Sequence, residues 1–244
     1  MVLAEVGQEG RELSPTPGPG SATLGSAPSP NRTETRPALL YRGQPLSTYV
    51  AQFRAATGGA RADSLRAIAA FGKDTAPAVN EISPALADAA PEVRTAAARA
   101  LAEVGDGAAS AAVALGKALS DRDQGVREAA ALALREMPGS AVRALPALLA
   151  ALQDPAPTVR MTVATALGRV QGAAAQAVPA LAARLDAGES KVQVMRNIAY
   201  ALGEIGPPAR AAIPSLERIQ HLRVKYIAAE AIARIEGKPV PTWH

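Results

Sequence analysis

The sequence has few residues of the kinds that carry most protein chemistry. Cysteine is absent, which excludes disulfide scaffolds, thiolate metal sites and cysteine nucleophiles. Aromatic residues make up only 3% of the chain, and His221 and His244 are its two histidines. Two imidazoles are too few for a histidine-rich zinc site or a facial iron triad. The sequence therefore predicts no catalytic residue, no metal site and no cofactor.

Charge of one sign and long apolar runs are also missing. The 26 cationic and 22 anionic residues are spread along the chain and leave a net charge of +4, whereas a nucleic-acid binder usually shows a concentrated basic stripe. No uncharged stretch approaches the roughly 18 apolar residues that span a bilayer. The first twelve residues lack the features of a signal peptide. These observations predict no membrane span and favour a cytoplasmic protein.

Alanine is abundant, and its distribution suggests the domain organisation. The chain has 58 alanines, the best helix former, and comparatively few β-branched or aromatic residues, which predicts an all-α fold. Residues 1–37 are rich in proline, glycine and serine and are predicted to be a disordered tail. Residues 38–236 are the predicted folded domain, and residues 237–244 a short C-terminal tail.

From residue 60 onward the chain repeats with a period near 33 residues. Six segments align, starting 33, 33, 33, 35 and 30 residues apart. They are Ala60 to Phe71, Val93 to Val104, Val126 to Met137, Val159 to Val170, Val194 to Ile205 and Val224 to Ile235. Apolar residues at i, i+4, i+8 and i+11, as at Val159, Val163, Leu167 and Val170, predict an amphipathic helix in each segment.

A second helix is predicted in five of the repeats. Pro146, Pro179 and Pro214 occupy one equivalent place near its start, where the missing N–H has no intrahelical partner to lose. Each repeat then holds two short amphipathic helices, which bury their apolar faces only by stacking on neighbouring repeats. An earlier segment, Pro45 to Ala56, is predicted to cap the N-terminal end of this stack.

These repeats resemble a known family. The run Val159-Arg160-x-x-Val-Ala-x-Ala-Leu167-Gly168, the later Ala177-Val178-Pro179-Ala-Leu181 and the preceding Asp154 are similar to the HEAT-repeat consensus. The closest likeness is to the short bacterial HEAT-like repeats first recognised in phycobilin lyases. The resemblance covers about residues 43–236 and implies an α-solenoid of about five to six HEAT-like helical hairpin repeats.

The resemblance also implies a ladder of charged residues between repeats. In this family a loop aspartate and an arginine six residues later link successive repeats. The pairs with that spacing are Asp88 and Arg94, Asp121 and Arg127, and Asp154 and Arg160. The fifth repeat departs from the pattern, because Met195 stands where arginine is expected and two extra residues lie in the preceding loop. Irregular stacking is therefore expected there, with Gly188 as the point of a bend.

With no chemistry nominated, the sequence predicts a non-catalytic scaffold that binds a partner protein or peptide. A stack of five to six repeats would present a groove roughly 50 Å long, formed by the second helices. Because binding energy concentrates at tyrosine, tryptophan and arginine, the candidate binding residues are Arg196, Asn197, Tyr200 and Tyr226. The chain is expected to be a monomer or a weak oligomer that associates through its C-terminal end. There Trp243 would cap the last repeat or dock into another chain.

Two other functions stay open at this point. The solenoid could be an enzyme or lyase subunit that cradles a substrate. It could also bind nucleic acid weakly, since Lys117, Arg143, Arg184, Arg210 and Arg218 outnumber Glu81 and Glu217 on the second helices. A surplus of three cations falls short of the roughly six to ten phosphate contacts that useful affinity needs, so strong nucleic-acid binding is not expected.

Overall fold

The six predicted repeat segments all form α-helices, one at the start of each repeat, in a computed structural model that describes residues 39–242. These first helices are α2 (Gly58–Ala69), α4 (Pro91–Val104), α6 (Gln124–Arg135), α8 (Pro157–Arg169), α10 (Val192–Ile205) and α12 (Leu222–Glu236). Each begins about two residues before its first predicted apolar residue, because the first turn is polar or starts at proline, as at Pro91 and Pro157. The all-α repeat architecture is confirmed. The predicted disordered tail over residues 1–37 and the predicted contact of Trp243 lie outside the described residues.

The second half of each repeat differs from the predicted plain helix, because it starts as a 3-10 turn. The short α-helices are α3 (Val79–Ile82), α5 (Ala112–Ala118), α7 (Leu145–Ala151), α9 (Val178–Asp186) and α11 (Ile213–Glu217). The 3-10 segments before them are Gly72–Ala78, Gly105–Ala111, Ala141–Ala144, Ala174–Ala177 and Pro207–Ala212, and Ser83–Ala87 follows α3. In the first repeat Pro77 lies inside one 3-10 turn and Pro84 near the start of the other. Since proline cannot donate the N–H that a longer helix needs, α3 spans only one turn.

The N-terminal end is covered by α1 (Leu46–Ala55), with Tyr49, Val50 and Phe53 buried, in the predicted capping segment. A small hairpin that the sequence analysis did not predict precedes α1. Its strands β1 (Leu40–Tyr41) and β2 (Gln44–Pro45) pair antiparallel. The Tyr49 hydroxyl donates a 2.9 Å hydrogen bond to the Tyr41 carbonyl, which fastens the hairpin to α1.

The first helices pack side by side in chain order, and the second segments pack against them. The buried apolar residues form one continuous core from Tyr49 to Ile235, as expected when each repeat buries its face against the next. Small residues let the helices approach closely. A Cβ placed on Gly168 of α8 would lie 2.8 Å from the Cα of Ala201 in α10, so the two helices touch there through backbone.

Glycines after the first helices play two different roles. Gly105 and Gly206 have φ of 64° and 71° and cap α4 and α10, as the sequence predicts for a helix end. Gly139 was expected to do the same, but it has no positive φ. Its N–H instead donates to Asp106 Oδ1 at 3.1 Å, and a Cβ there would lie 3.3 Å from that oxygen. Gly139 therefore serves a close approach between two repeats.

Candidate interaction surfaces

The loops that lead into the first helices carry a ladder of buried ion pairs. Arg94 donates from Nε and Nη2 to the two carboxylate oxygens of Asp121 in the next repeat, at 2.7 Å each. Its Nη1 donates to the carbonyls of Asp88 and Ala89 in its own repeat. One guanidinium thus joins two repeats through the fork geometry that makes arginine–carboxylate pairs strong.

The carboxylate of each pair also orders its own loop. Asp121 Oδ1 accepts the N–H of Asp123 at 2.9 Å. Burial raises the pKa of Asp121, but the hydrogen bonds from Arg94 and from that N–H outweigh burial and hold the pKa below its ordinary value. The hydrogen bond to Asp121 in turn outweighs burial at Arg94 and raises the pKa of the guanidinium. Both groups are therefore charged in the folded protein.

The pattern recurs in the next two repeats. Arg127 donates to Asp154 at 2.7 and 3.2 Å, and Asp154 Oδ1 accepts the N–H of Ala156 at 2.8 Å. Arg160 then donates to both carboxylate oxygens of Glu189, at 2.8 and 2.9 Å. The ladder thus continues into the fifth repeat, where the sequence predicted irregularity.

Glu189 is the structural residue that the sequence analysis missed. It lies six residues before Met195, the same offset that separates Asp154 from Arg160, and this register was the available signal. Arg184 donates a further 2.9 Å hydrogen bond to the same carboxylate. Burial raises the pKa of Glu189, but the bonds from Arg160, the Lys191 N–H and Arg184 outweigh burial and lower the pKa to about 2. The two extra loop residues are accommodated beside Gly188, whose φ is 81°.

The ladder stops after Glu189. Met195 stands in the arginine position of the fifth repeat, and Ile219 stands in the carboxylate position of the sixth. That junction is joined instead by Asp186, which accepts hydrogen bonds from Ser215 at 3.0 Å and from Arg218 at 2.7 Å. The ladder residues lie between repeats and are bonded to one another, which leaves the outer faces of the helices as the surfaces available to a partner.

The four predicted binding residues all lie on first helices, outside the groove that the second helices were expected to form. Arg196 is exposed on α10 and donates to Gln193 Oε1 at 3.0 Å. Tyr200 on α10 is 48% exposed and Tyr226 on α12 is 49% exposed. The Asn197 amide instead donates to Thr165 Oγ1 of α8 at 2.9 Å. Arg196, Tyr200 and Tyr226 are therefore accessible, whereas Asn197 helps to join two helices.

The second segments present a different surface, which we call the second-helix surface. It consists of three rows of exposed or half-exposed positions that are equivalent in consecutive repeats. The rows are Asn80, Val113, Pro146, Pro179 and Pro214; Ala76, Ala109, Val142, Ala175 and Arg210; and Pro84, Lys117, Ala150, Ala183 and Arg218. Val113 and Val142 are 53% and 40% exposed. Most of this surface is made of alanine, valine and proline side chains.

Charge is sparse on this surface, and part of it is already neutralised. Arg218 is paired with Asp186 at 2.7 Å, while Arg184 beside the surface is paired with Glu189 at 2.8 Å. Lys117 and Arg210 form no ion pair within residues 39–242. The first helices, by contrast, expose charges of both signs along their outer faces: Glu92, Arg99 and Glu103 on α4 and Arg196 and Glu204 on α10.

Metal-binding and membrane-spanning features were also sought in the described part of the chain. Within residues 39–242 no three histidine, aspartate or glutamate side chains come together as a metal ion would require. No helix in that same range is long and apolar enough to cross a membrane.

Comparison with known proteins identifies the repeat. The family described as HEAT repeats matches residues 50–135 and 112–193. No curated protein sequence matches this chain. A crystal structure titled as an engineered protein is similar with a TM-score of 0.64 and 22% identity, over 79% of this chain and 96% of that one. A designed armadillo repeat protein in complex with the peptide (KR)4 is similar with a TM-score of 0.61 and 18% identity, over 78% and 99%. At these identities the solved structures establish the fold alone.

Proposed function

The chain belongs to the HEAT-repeat family, and from that premise we propose that it is a non-catalytic scaffold that binds a partner protein or peptide on its second-helix surface. The helical-repeat fold is one that known proteins use for protein binding, and the designed armadillo repeat protein was crystallised with a peptide. The identity of the partner and the binding residues are the parts that this proposal adds.

The observation that carries the proposal is the row of exposed apolar side chains on consecutive repeats. Val113 and Val142 are large apolar residues that the fold leaves in solvent, and exposed prolines occupy the position of Val113 in the next three repeats. Contiguous apolar surface of this kind is typical of protein interaction sites, because leaving it in water has a free-energy cost that a partner removes.

The ion-pair ladder supports the same function. Binding to a flexible surface has an entropic cost, and a surface that is already ordered avoids it. The pairs Arg94–Asp121, Arg127–Asp154 and Arg160–Glu189 hold four consecutive repeats in one register. The second segments of those repeats are therefore presented in a fixed relation to one another.

The charge distribution favours a protein over nucleic acid as the partner. Arg184 and Arg218 were two of the five cations counted for a weak nucleic-acid surface, and both are engaged by carboxylates. Lys117, Arg143 and Arg210 remain, well short of the roughly six to ten phosphate contacts that useful affinity needs.

The test is affinity capture from the source cells with identification by mass spectrometry, comparing two surface variants with the unchanged chain. The double variant Val113→Asp and Val142→Asp alters the second-helix surface. The matched variant Arg196→Ala, Tyr200→Ala and Tyr226→Ala alters the predicted first-helix residues. Thermal melts establish that both variants fold.

We expect a stoichiometric partner that the first variant loses and the second retains. Loss in the second variant alone would move the binding site to the first helices. Capture unaffected by either variant would contradict both locations. Visible absorbance from a bound cofactor in the purified protein would instead favour the rival function of an enzyme or lyase subunit.

A further inference from the structure

We infer that the segment bound on the second-helix surface is acidic, a stretch of a partner protein in which carboxylates alternate with apolar side chains. The inference rests on the proposed function and adds the chemistry of the partner. It follows from the cations that the surface leaves without carboxylates, from the local carboxylates that are already engaged, and from the lack of backbone-pairing groups.

Three cations on or beside the surface have no carboxylate partner in the described part of the chain. Lys117 of α5 and Arg210 of the Pro207–Ala212 turn are exposed, and no ion pair joins them. Arg143 donates only to the Ala109 carbonyl, at 3.3 Å. The three cations lie in three different repeats, so an acidic segment lying across the repeats would meet them in turn.

The carboxylates in the same region are mostly occupied. Glu81 is paired with Arg54 at 2.5 Å, and Asp186 is paired with Arg218 at 2.7 Å. Asp106 accepts the backbone N–H groups of Gly139 and Ser140, at 3.1 and 3.2 Å. Only Glu217 is exposed without such a partner. A cationic peptide would therefore find almost no carboxylate here, and it would be repelled by the three cations.

This charge balance separates the chain from its structural neighbour. The designed armadillo repeat protein is in complex with (KR)4, a peptide made of cations alone. The fold is shared, but a ligand of that kind does not fit the cationic second-helix surface. Charge complementarity sets which partners associate more strongly than it sets total affinity, so the sign of the ligand charge is the sharpest property to test.

The surface also suits a particular backbone conformation. Alanine, valine and proline side chains offer few hydrogen-bonding groups, so a bound segment cannot rely on them to pair its backbone. A polyproline II segment keeps its backbone solvated and advances about 9 Å in three residues. Neighbouring helices pack about 8–10 Å apart. A segment with an apolar residue at every third position would therefore meet consecutive repeats in phase.

The experiment uses two fluorescein-labelled peptides that differ only in charge, (LPE)4 and (LPK)4, titrated with the full chain and followed by anisotropy. We expect the Kd of (LPE)4 to be at least about 10-fold lower than that of (LPK)4, with the ratio shrinking as salt screens the charges. The triple variant Lys117→Glu, Arg143→Glu and Arg210→Glu should invert the preference. The control Arg99→Glu, Arg196→Glu and Arg223→Glu changes the net charge equally on first helices and should preserve it.

Three results would overturn the inference: equal affinity for the two peptides, a preference that the surface variant does not invert, or an equal inversion in the control. No binding of (LPE)4 up to about 1 mM would overturn it as well. The proposed function is tested separately. If Val113→Asp and Val142→Asp abolish partner capture while (LPK)4 binds more tightly, the surface binds a protein but the acidic assignment is wrong. If capture is unaffected and neither peptide binds, both proposals fail.

Discussion

Arg160 of α8 holds both carboxylate oxygens of Glu189, 29 residues later in the chain, through hydrogen bonds of 2.8 and 2.9 Å. The Glu189 side chain is fully buried, and Arg184 donates to the same carboxylate at 2.9 Å. A buried carboxylate is tolerated when it is paired and fully hydrogen-bonded, whereas removing one partner leaves an uncompensated charge. The pair is therefore the most demanding junction in the ladder.

Glu189→Gln should destabilise the protein in a pH-dependent way. Because the pKa of Glu189 is lowered to about 2 in the folded protein, its carboxylate contributes stability that is fully present above about pH 4.5 and is lost as the pH falls toward 2. At pH 7 the substitution should cost about 3 kcal/mol, measured by urea unfolding.

The difference in unfolding free energy between the unchanged protein and Glu189→Gln should narrow as the pH is lowered from 5 toward 3. Glu217→Gln removes the same charge from an exposed position of the neighbouring segment and should change stability little at any pH. A constant difference across this pH range would contradict the assigned role of the carboxylate.

Arg94→Ala tests the ladder in the second repeat. The substitution removes two charge-assisted hydrogen bonds to Asp121 and leaves that partly buried carboxylate without its cation. We expect a loss of about 3 kcal/mol in unfolding free energy. Arg99→Ala on the same helix removes an exposed arginine and should cost less than about 0.5 kcal/mol. Equal losses in the two variants would show that the pairing contributes no stability.

Gly168→Ala tests the close approach of α8 and α10. The added methyl would lie 2.8 Å from both Cα and Cβ of Ala201, and since one of those atoms is backbone the helices must separate. We expect destabilisation of about 1–3 kcal/mol by chemical denaturation. Gly59→Ala adds the same methyl to α2, where no atom lies within 4 Å, and should be neutral or stabilising by up to about 1 kcal/mol. A neutral Gly168→Ala would mean that the two helices shift apart at little cost.

Asn197→Ala should separate packing from partner binding. The amide of Asn197 donates to Thr165 Oγ1 at 2.9 Å across the α8–α10 contact. We expect a loss of about 1 kcal/mol in unfolding free energy with partner capture unchanged. Gln193→Ala, at an exposed position of the same helix, should change neither measurement by much. Loss of the partner from a stably folded Asn197→Ala protein would return this residue to the binding site.

Much of the architecture was readable in advance because it depends on local periodicity. The spacing of Val159, Val163, Leu167 and Val170 predicts an amphipathic helix without knowledge of its neighbours, and α8 covers the first three of these residues. The period near 33 residues then implies stacking. The 3-10 turns and the hairpin before α1 were not predicted, since they are one or two turns long and leave no periodic pattern.

Long-range partners were less accessible to sequence reasoning. Glu189 was missed because two inserted residues shift it from the expected spacing and because its chain is one methylene longer than aspartate. Gly139 was assigned a left-handed cap on composition, although its place is decided by Asp106, which lies 33 residues earlier. Asn197 was selected as an exposed polar residue, and only the packing of α8 against α10 reveals its hydrogen bond to Thr165.

The amino-acid sequence by itself determined that the chain is a helical repeat protein, since alanine content and apolar spacing are properties of a single strand of sequence. Tertiary structure alone decided which charges are still available to a partner, because an ion pair depends on how the next repeat stacks. Arg218 looked like a free cation on the second helices, yet Asp186, 32 residues earlier, accepts its hydrogen bond at 2.7 Å. The same stacking brings Val113, Val142 and the exposed prolines of consecutive repeats into rows on one surface, which no single repeat could indicate.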